Sequence, residues 1–412
     1  APASDEAPAE KPAKAKKGER MTLATWTTLG RQLSRHRALV VAVAVAVIAA
    51  MTVPAQASKA APGSGPTAIV SLGDSFISGE AGRWQGNSLN ILGTRDGTDR
   101  AARCTWIFCS YDATRVYGAT YTGCDRSDVA TIKSAAISVS EKINLACSGA
   151  KSVNIWRASQ GGQSFKGELP QADQLLSVAQ QKDVKLVVLT ISANDFGFAD
   201  RVINCASSWV LGLGPCNQSQ QAALQAARPA ALDGLRKSVD EVRAVMAAAG
   251  YSPSQWKFVI AGYGSPVPAA ADVRYAGSDR WWTGGCPFYN ADFDWAKNVA
   301  TPFIVDTMRQ VAAEKGVQFL DVRDSLNGHE ACHRNSALVG SSGPNSITHE
   351  WVRWVNTGCC QGDAQESVHP NAYGQRGLGK CIALMNAKTS GNWSCRNTPG
   401  QNYNAMTLTA IP

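Results

Sequence analysis

At 412 residues, with 44% apolar and 17% charged residues, the chain is long enough for one or two cored domains and too apolar for wholesale disorder. Its formal net charge is +8, and setting apart residues 1–57, which hold eight basic and four acidic residues, leaves +4. Without a basic stripe interleaved with aromatics, this balance excludes nucleic acid as a partner.

Residues 1–20 are rich in Ala, Pro, Lys and Glu with no apolar run, a composition that reads as a disordered leader. Residues 21–57 then have the three parts of a secretory signal: basic Arg31, Arg35 and Arg37, an apolar stretch over 38–53, and the small-residue site Ala55-Gln56-Ala57. Cleavage after Ala57 starts the mature chain near Ser58. The rival is a membrane-tethered form, although sixteen apolar residues fall short of the roughly 20 that span a bilayer comfortably.

After a linker over 58–66, apolar runs at 67–72, 142–146, 185–191, 256–261 and 317–322 alternate with amphipathic stretches at 172–181, 220–249, 295–315 and 372–388. Such alternation predicts a three-layer α/β/α domain over 67–412, with a mainly parallel sheet of about five strands. A break is expected at Pro229. Insertions rich in Trp and Gly at about 83–121, 265–292 and 334–362 hold six of the twelve tryptophans and five of the twelve cysteines. Loops at the carboxyl ends of parallel strands surround the site, so these insertions are expected to shape substrate access.

All twelve cysteines follow the cleavage site, and an even count in an exported chain predicts disulfides. Zinc spacing is lacking: Cys104 and Cys109 have no second C-x-x-C, and Cys359 and Cys360 are adjacent. No metal or organic cofactor is expected.

Four segments carry chemistry. Gly73-Asp74-Ser75 leaves the first strand at a turn, where a serine exposes its hydroxyl. Taken alone, this triplet is a weak motif and more often marks an ordinary turn. Cys147-Ser148-Gly149 ends the second strand, and Gly149 allows close approach of a backbone N–H. Ser192-Ala193-Asn194-Asp195 ends the third, offering the Asn194 amide to a developing oxyanion. Glu366-Ser367-Val368-His369-Pro370 precedes the last helix, with His369 a base for the serine and Glu366 placed to orient it.

In that order these motifs resemble the SGNH (GDSL) hydrolase family, and more closely its secreted actinobacterial lipase and esterase branch, over most of residues 67–388. Cys124-Asp125-Arg126-Ser127, Phe196-Gly197-Phe198 and Gly328-His329-Glu330-Ala331-Cys332 share the likeness. The resemblance implies a flavodoxin-like sheet, Ser75 as nucleophile, His369 as general base, and an oxyanion hole of the Ser75 N–H, Gly149 and Asn194; Asp195 is implied to be structural. Two departures stand out. Ser192 replaces the glycine usual before Asn-Asp, which predicts an altered turn. Glu366 stands where many members have Asp, with Asp363 or a backbone carbonyl as the other candidates for the third member. The branch resemblance also implies disulfides Cys124–Cys147, Cys205–Cys216 and Cys286–Cys332. By elimination Cys104 would join Cys109, and Cys359 and Cys360 would take Cys381 and Cys395.

The expected activity is a secreted, monomeric lipase or carboxylesterase acting on a small-molecule or lipid ester, with transient contact at a lipid surface. Alternatives are a polysaccharide O-deacetylase, for which the tryptophan-rich insertions leave room, and a non-catalytic cell-surface binding protein on the same fold. His329, His333 and His349 are read as loop structure, Trp281, Trp282, Trp351 and Trp354 as packing, and Arg126 as an ion-pair partner.

Overall fold

A computed structural model describes residues 62–89, 102–105, 108–119, 121–356 and 362–412, all within the unit Lys59–Pro412. The expected leader, signal segment and cleavage site lie outside the described residues, as do Cys359, Cys360 and the side chains of Cys104 and Cys109.

Strand β1 (Thr67–Gly73) is the pivot of the sheet. The hairpin strands β2 (Ala102–Thr105) and β3 (Phe108–Tyr111) pair only with one another, with Cys104 and Cys109 as Cα partners. The main sheet adds β4 (Glu141–Asn144), β5 (Asp183–Thr190), β6 (Lys257–Ala261), β7 (Gln318–Asp321), β8 (Asn392–Arg396) and β9 (Thr407–Ile411). Its order is β4-β1-β5-β6-β7-β8-β9, parallel except for the β8/β9 pair. It thus holds seven strands where five apolar runs were expected. The two extra strands, Asn-Trp-Ser-Cys-Arg and Thr-Leu-Thr-Ala-Ile, are short and half polar because they close an edge.

Alternate side chains go to opposite faces of each strand. Val70, Leu72, Val187, Leu189, Ile260 and Phe319 join one apolar cluster, whereas Ile69, Leu186, Val188, Val259 and Leu320 join another. The first cluster is covered by Gln171–Ala179, Asn217–Ala248 and Thr301–Lys315, and the second by Ala372–Asn386. Helix Asn217–Ala248 runs unbroken through Pro229. The proline forfeits one backbone hydrogen bond, while buried Leu224 before it and Ala231, Leu232 and Leu235 after it keep the helix seated. The stretch expected as one helix over 295–315 is interrupted by a π turn, Ala296–Ala300, ahead of Pro302. Helix Phe198–Val210, unanticipated from the sequence, leaves Ile203 60% exposed.

Disulfides join Cys124 to Cys147, Cys205 to Cys216, Cys286 to Cys332 and Cys381 to Cys395. The last corrects the expectation that Cys381 and Cys395 bond Cys359 and Cys360. Cys381 lies on the buried face of Ala372–Asn386 and Cys395 on β8, a strand between β7 and β9 that the sequence does not announce. No helix among the described residues is long and apolar enough to cross a membrane.

Candidate active site

Strands β4 and β5 flank β1, so the loops leaving all three carboxyl ends converge where the direction of chain progression reverses, the usual place for a site in an open α/β sheet. Gly73 ends β1 at φ +145°, and a Cβ there would lie 1.9 Å from the Thr190 carbonyl oxygen; only glycine lets the strand turn against its neighbour. The Gln171 amide grips the same residue, accepting the Gly73 N–H at 2.7 Å and donating to its carbonyl at 2.8 Å. Ser75 then opens the short helix Ser75–Ser78, capped by Asp74, whose Oδ1 accepts the Phe76 N–H at 3.1 Å.

Buried Asp74 also receives the Tyr263 hydroxyl at 2.5 Å, and that hydroxyl accepts the Ala193 N–H at 3.1 Å. Tyr263 therefore locks the Ser75 turn to the Asn194 turn. Burial raises the Asp74 carboxyl to about 7, against the lowering pull of the Tyr263 bond.

At the end of β4, the Cys124–Cys147 bridge and Arg126 fix the next turn. Arg126 donates to the carbonyls of Ala146 and Leu145 at 2.8 and 3.0 Å and is bidentate to Glu168. Gly149 follows with φ +85°, where a Cβ would lie 3.3 Å from the Phe165 ring. The Asn194 amide donates to the Ala150 carbonyl at 2.9 Å, leaving its second N–H for another acceptor. Asp195 accepts the N–H and hydroxyl of Ser152, so its carboxylate serves the loop. Ser192 keeps the glycine-type backbone at φ +126°, and its buried hydroxyl has no partner among the described residues. The expected change of turn is thus replaced by a strained serine in the conformation glycine favours.

His369 Nε2 lies 2.7 Å from Ser75 Oγ, and Nδ1 lies 3.0 Å from the Ser367 carbonyl oxygen. Burial lowers the imidazole to about 4, although backbone acceptors oppose the shift. It is therefore neutral and able to accept a proton at pH 7. Val368 at φ +59°, a costly angle for a β-branched residue, turns the chain just before it.

Glu366, expected to orient His369, faces the other way. Its carboxylate accepts the Trp84 indole N–H at 2.6 Å and the Tyr111 hydroxyl, with Tyr117 at 3.4 Å. The turn through Ser367 and Val368 puts the Glu366 backbone carbonyl, not its side chain, toward His369, whose backbone N–H donates to it at 3.3 Å. Asp363 is exposed and caps Gln365. Of the three candidates beside His369, only a backbone carbonyl, that of Ser367, meets its Nδ1.

Ser75, Asn194 and His369 line one cleft with Phe198, Tyr263 and Val368. Beside it runs an open groove of about 640 Å³ lined by His369, Val202, Ile203, Val210, Leu211 and Trp281. His329 stacks on buried Trp351, while His333 and His349 accept loop N–H groups. The sequence reading missed Gln171, Tyr263 and Glu80; the last, next to a Ser-Gly turn, shows no distinguishing spacing. Cys205, Cys216 and Asp292 cluster, but the two sulfurs are bonded to each other.

A family model described as the GDSL-like Lipase/Acylhydrolase family matches residues 114–376, a span that includes Asn194 and His369 and begins after Ser75. Among solved structures, an extracellular lipase from Streptomyces rimosus is 21% identical, covering 78% of this chain and 100% of its own at a TM-score of 0.42. A phospholipase A1 from Streptomyces albidoflavus is 20% identical with the same coverage and a TM-score of 0.43. A carbohydrate acetylesterase from Sinorhizobium meliloti is 11% identical over 77% of this chain and 97% of its own, at 0.33. No curated protein matches the chain.

Proposed function

We propose that this chain, which belongs to the GDSL-like lipase/acylhydrolase family, hydrolyses carboxylic esters through an acyl-enzyme on Ser75. The observation that carries this reading is the 2.7 Å contact between Ser75 Oγ and the neutral Nε2 of His369. As Oγ attacks the ester carbonyl carbon, Nε2 takes the hydroxyl proton and then gives it to the leaving alkoxide. Water, deprotonated by the same nitrogen, next attacks the acyl carbon and releases the acid.

Three donors serve the tetrahedral oxyanion. The Ser75 N–H, at the first position of its helix, has no intrahelical acceptor. The Gly149 N–H and the free N–H of Asn194 complete the set, each worth about 3 kcal/mol in the transition state. The Ser367 carbonyl holds the Nδ1 proton, so the free pair on Nε2 faces the serine.

The apolar groove beside His369 supports an acyl chain longer than acetyl and so favours a lipase or carboxylesterase over a deacetylase of polysaccharides. Secretion, with residues 1–57 removed, is supported by the four disulfides among the described residues. The test is hydrolysis of p-nitrophenyl acetate and octanoate by the chain from Ser58 beside a folded Ser75→Ala variant. Turnover lost in the variant and favouring octanoate supports the reading. An acetate-only profile contradicts the acyl-chain assignment, and equal activity of the two proteins contradicts the nucleophile.

A further inference from the structure

Glu80 stands two residues beyond the helix that carries Ser75 and is 1% exposed. Its Oε2 accepts the Ser148 hydroxyl at 2.7 Å and lies 3.6 Å from His369 Nε2, the nitrogen that faces Ser75 Oγ. Its Oε1 has no hydrogen-bond partner among the described residues. A carboxyl group buried at such cost needs an explanation, and no structural bond beyond that of Ser148 provides one.

The explanation lies in what His369 lacks. In a Ser-His-Asp arrangement a carboxylate at Nδ1 offsets the imidazolium charge that forms as the serine is deprotonated. Here Nδ1 meets only the neutral Ser367 carbonyl, and Glu366 is committed to Trp84 and Tyr111. We propose that Glu80 is a positioning residue that supplies the counter-charge for the His369 imidazolium from the Nε2 side, with Ser148 holding its carboxylate in place. The inference rests on Ser75 and His369 acting as above. Glu80 exchanges no proton in the step: the serine proton moves from Oγ to Nε2 and on to the leaving alkoxide, while the carboxylate remains ionised beside them.

The setting makes this charge dependent on pH. Burial and the neighbouring Asp125 and Glu366 raise the Glu80 carboxyl well above its ordinary value; the Ser148 hydroxyl and the Lys166 ammonium pull it down. His369, lowered to about 4, completes a pair whose two titration steps belong to both residues. Raising the pH through the upper step creates the carboxylate, so turnover rises there.

The experiment follows the His369 imidazole by NMR across pH, assigned by its loss in His369→Ala, together with kcat and KM for octanoate hydrolysis. Wild type, Glu80→Gln, Glu80→Asp and Ser148→Ala are compared, each checked for an unchanged thermal midpoint. Glu80→Gln retains the shape but not the charge. It should leave a single His369 step, erase the upper acid limb of kcat, and lower kcat above that limb roughly tenfold, the equivalent of one pKa unit, with KM within twofold. Glu80→Asp should keep two steps. Ser148→Ala, which removes a bond to the charged form, should move the limb to higher pH, and this decides the matter if Glu80→Gln does not fold. A His369 titration and acid limb identical in wild type and Glu80→Gln would overturn the proposal. So would equal loss of kcat in the Gln and Asp variants with no limb moved, which is the mark of packing alone. Because the NMR signal needs no turnover, an inactive wild type would sink the ester hydrolase reading while the His369 steps still judged this one.

Discussion

The Nδ1 of His369 meets the carbonyl oxygen of Ser367 at 3.0 Å, and the carboxylate of Glu366 lies on the opposite side of the turn. Orientation of the base is therefore a backbone property. At pH values where the Glu80 carboxyl is ionised, Glu366→Gln should keep kcat within about threefold of wild type, since Glu366 itself makes no contact with the imidazole. His369→Ala should lose roughly a thousandfold or more, the scale of losing a triad base. Steady-state kinetics on one ester separates the two; a Glu366→Gln loss approaching that of His369→Ala would return the carboxylate to the catalytic unit.

The same variant has a signature in stability. Burial raises the Glu366 carboxyl from 4.5 to about 7 in the folded chain, so between those values the native state binds more protons than the unfolded state. Stability from this group is then full below pH 4.5 and is lost as pH rises through about 7. Relative to Glu366→Gln, wild type should lose roughly 3 kcal/mol across that window. Taking the difference between the two proteins cancels the opposite contribution of the buried histidines. Urea unfolding at pH 4.5 and pH 8 measures it, and parallel behaviour of the two proteins would contradict the burial argument.

Asn194 has one amide N–H on the Ala150 carbonyl and the other free toward the cleft. Asn194→Ala should cut kcat about a hundredfold with a small change in KM, because the lost donor acts on the oxyanion. The lost loop bond should cost only about 1 kcal/mol of stability. A raised KM with kcat unchanged would assign Asn194 to ground-state binding instead.

Ser192 pays for a positive φ without using its hydroxyl. Ser192→Gly should therefore stabilise the fold by about 1 kcal/mol, relief of backbone strain outweighing the added freedom of the unfolded chain. Activity should be unchanged. Thermal unfolding checks the sign, and a destabilised variant would show that serine packing outweighs the strain.

The parallel core was legible because its strands are unbroken apolar runs, buried on both faces, such as Ile69, Val70 and Leu72. Ser75, Asn194 and His369 were legible because each follows an element end with its own turn chemistry. Glu366 misled because spacing along the chain does not reveal direction, and Val368 at φ +59° turns its side chain from His369 toward Trp84. Strands β8 and β9 were hidden by their polar residues, and with them the Cys381–Cys395 bond. Glu80, Tyr263 and Gln171 reach the site from ordinary surroundings in the sequence, and only the folded chain brings them to the Ser75 turn.

The central claim, that Ser75 is the nucleophile and His369 its base, is tested most directly by covalent labelling. A fluorophosphonate ester should form one adduct as Oγ displaces fluoride, located by peptide mass spectrometry. The account predicts modification of Ser75 in wild type, none in folded Ser75→Ala, and labelling slowed at least a hundredfold in His369→Ala. An adduct on another serine that persists in Ser75→Ala would contradict it.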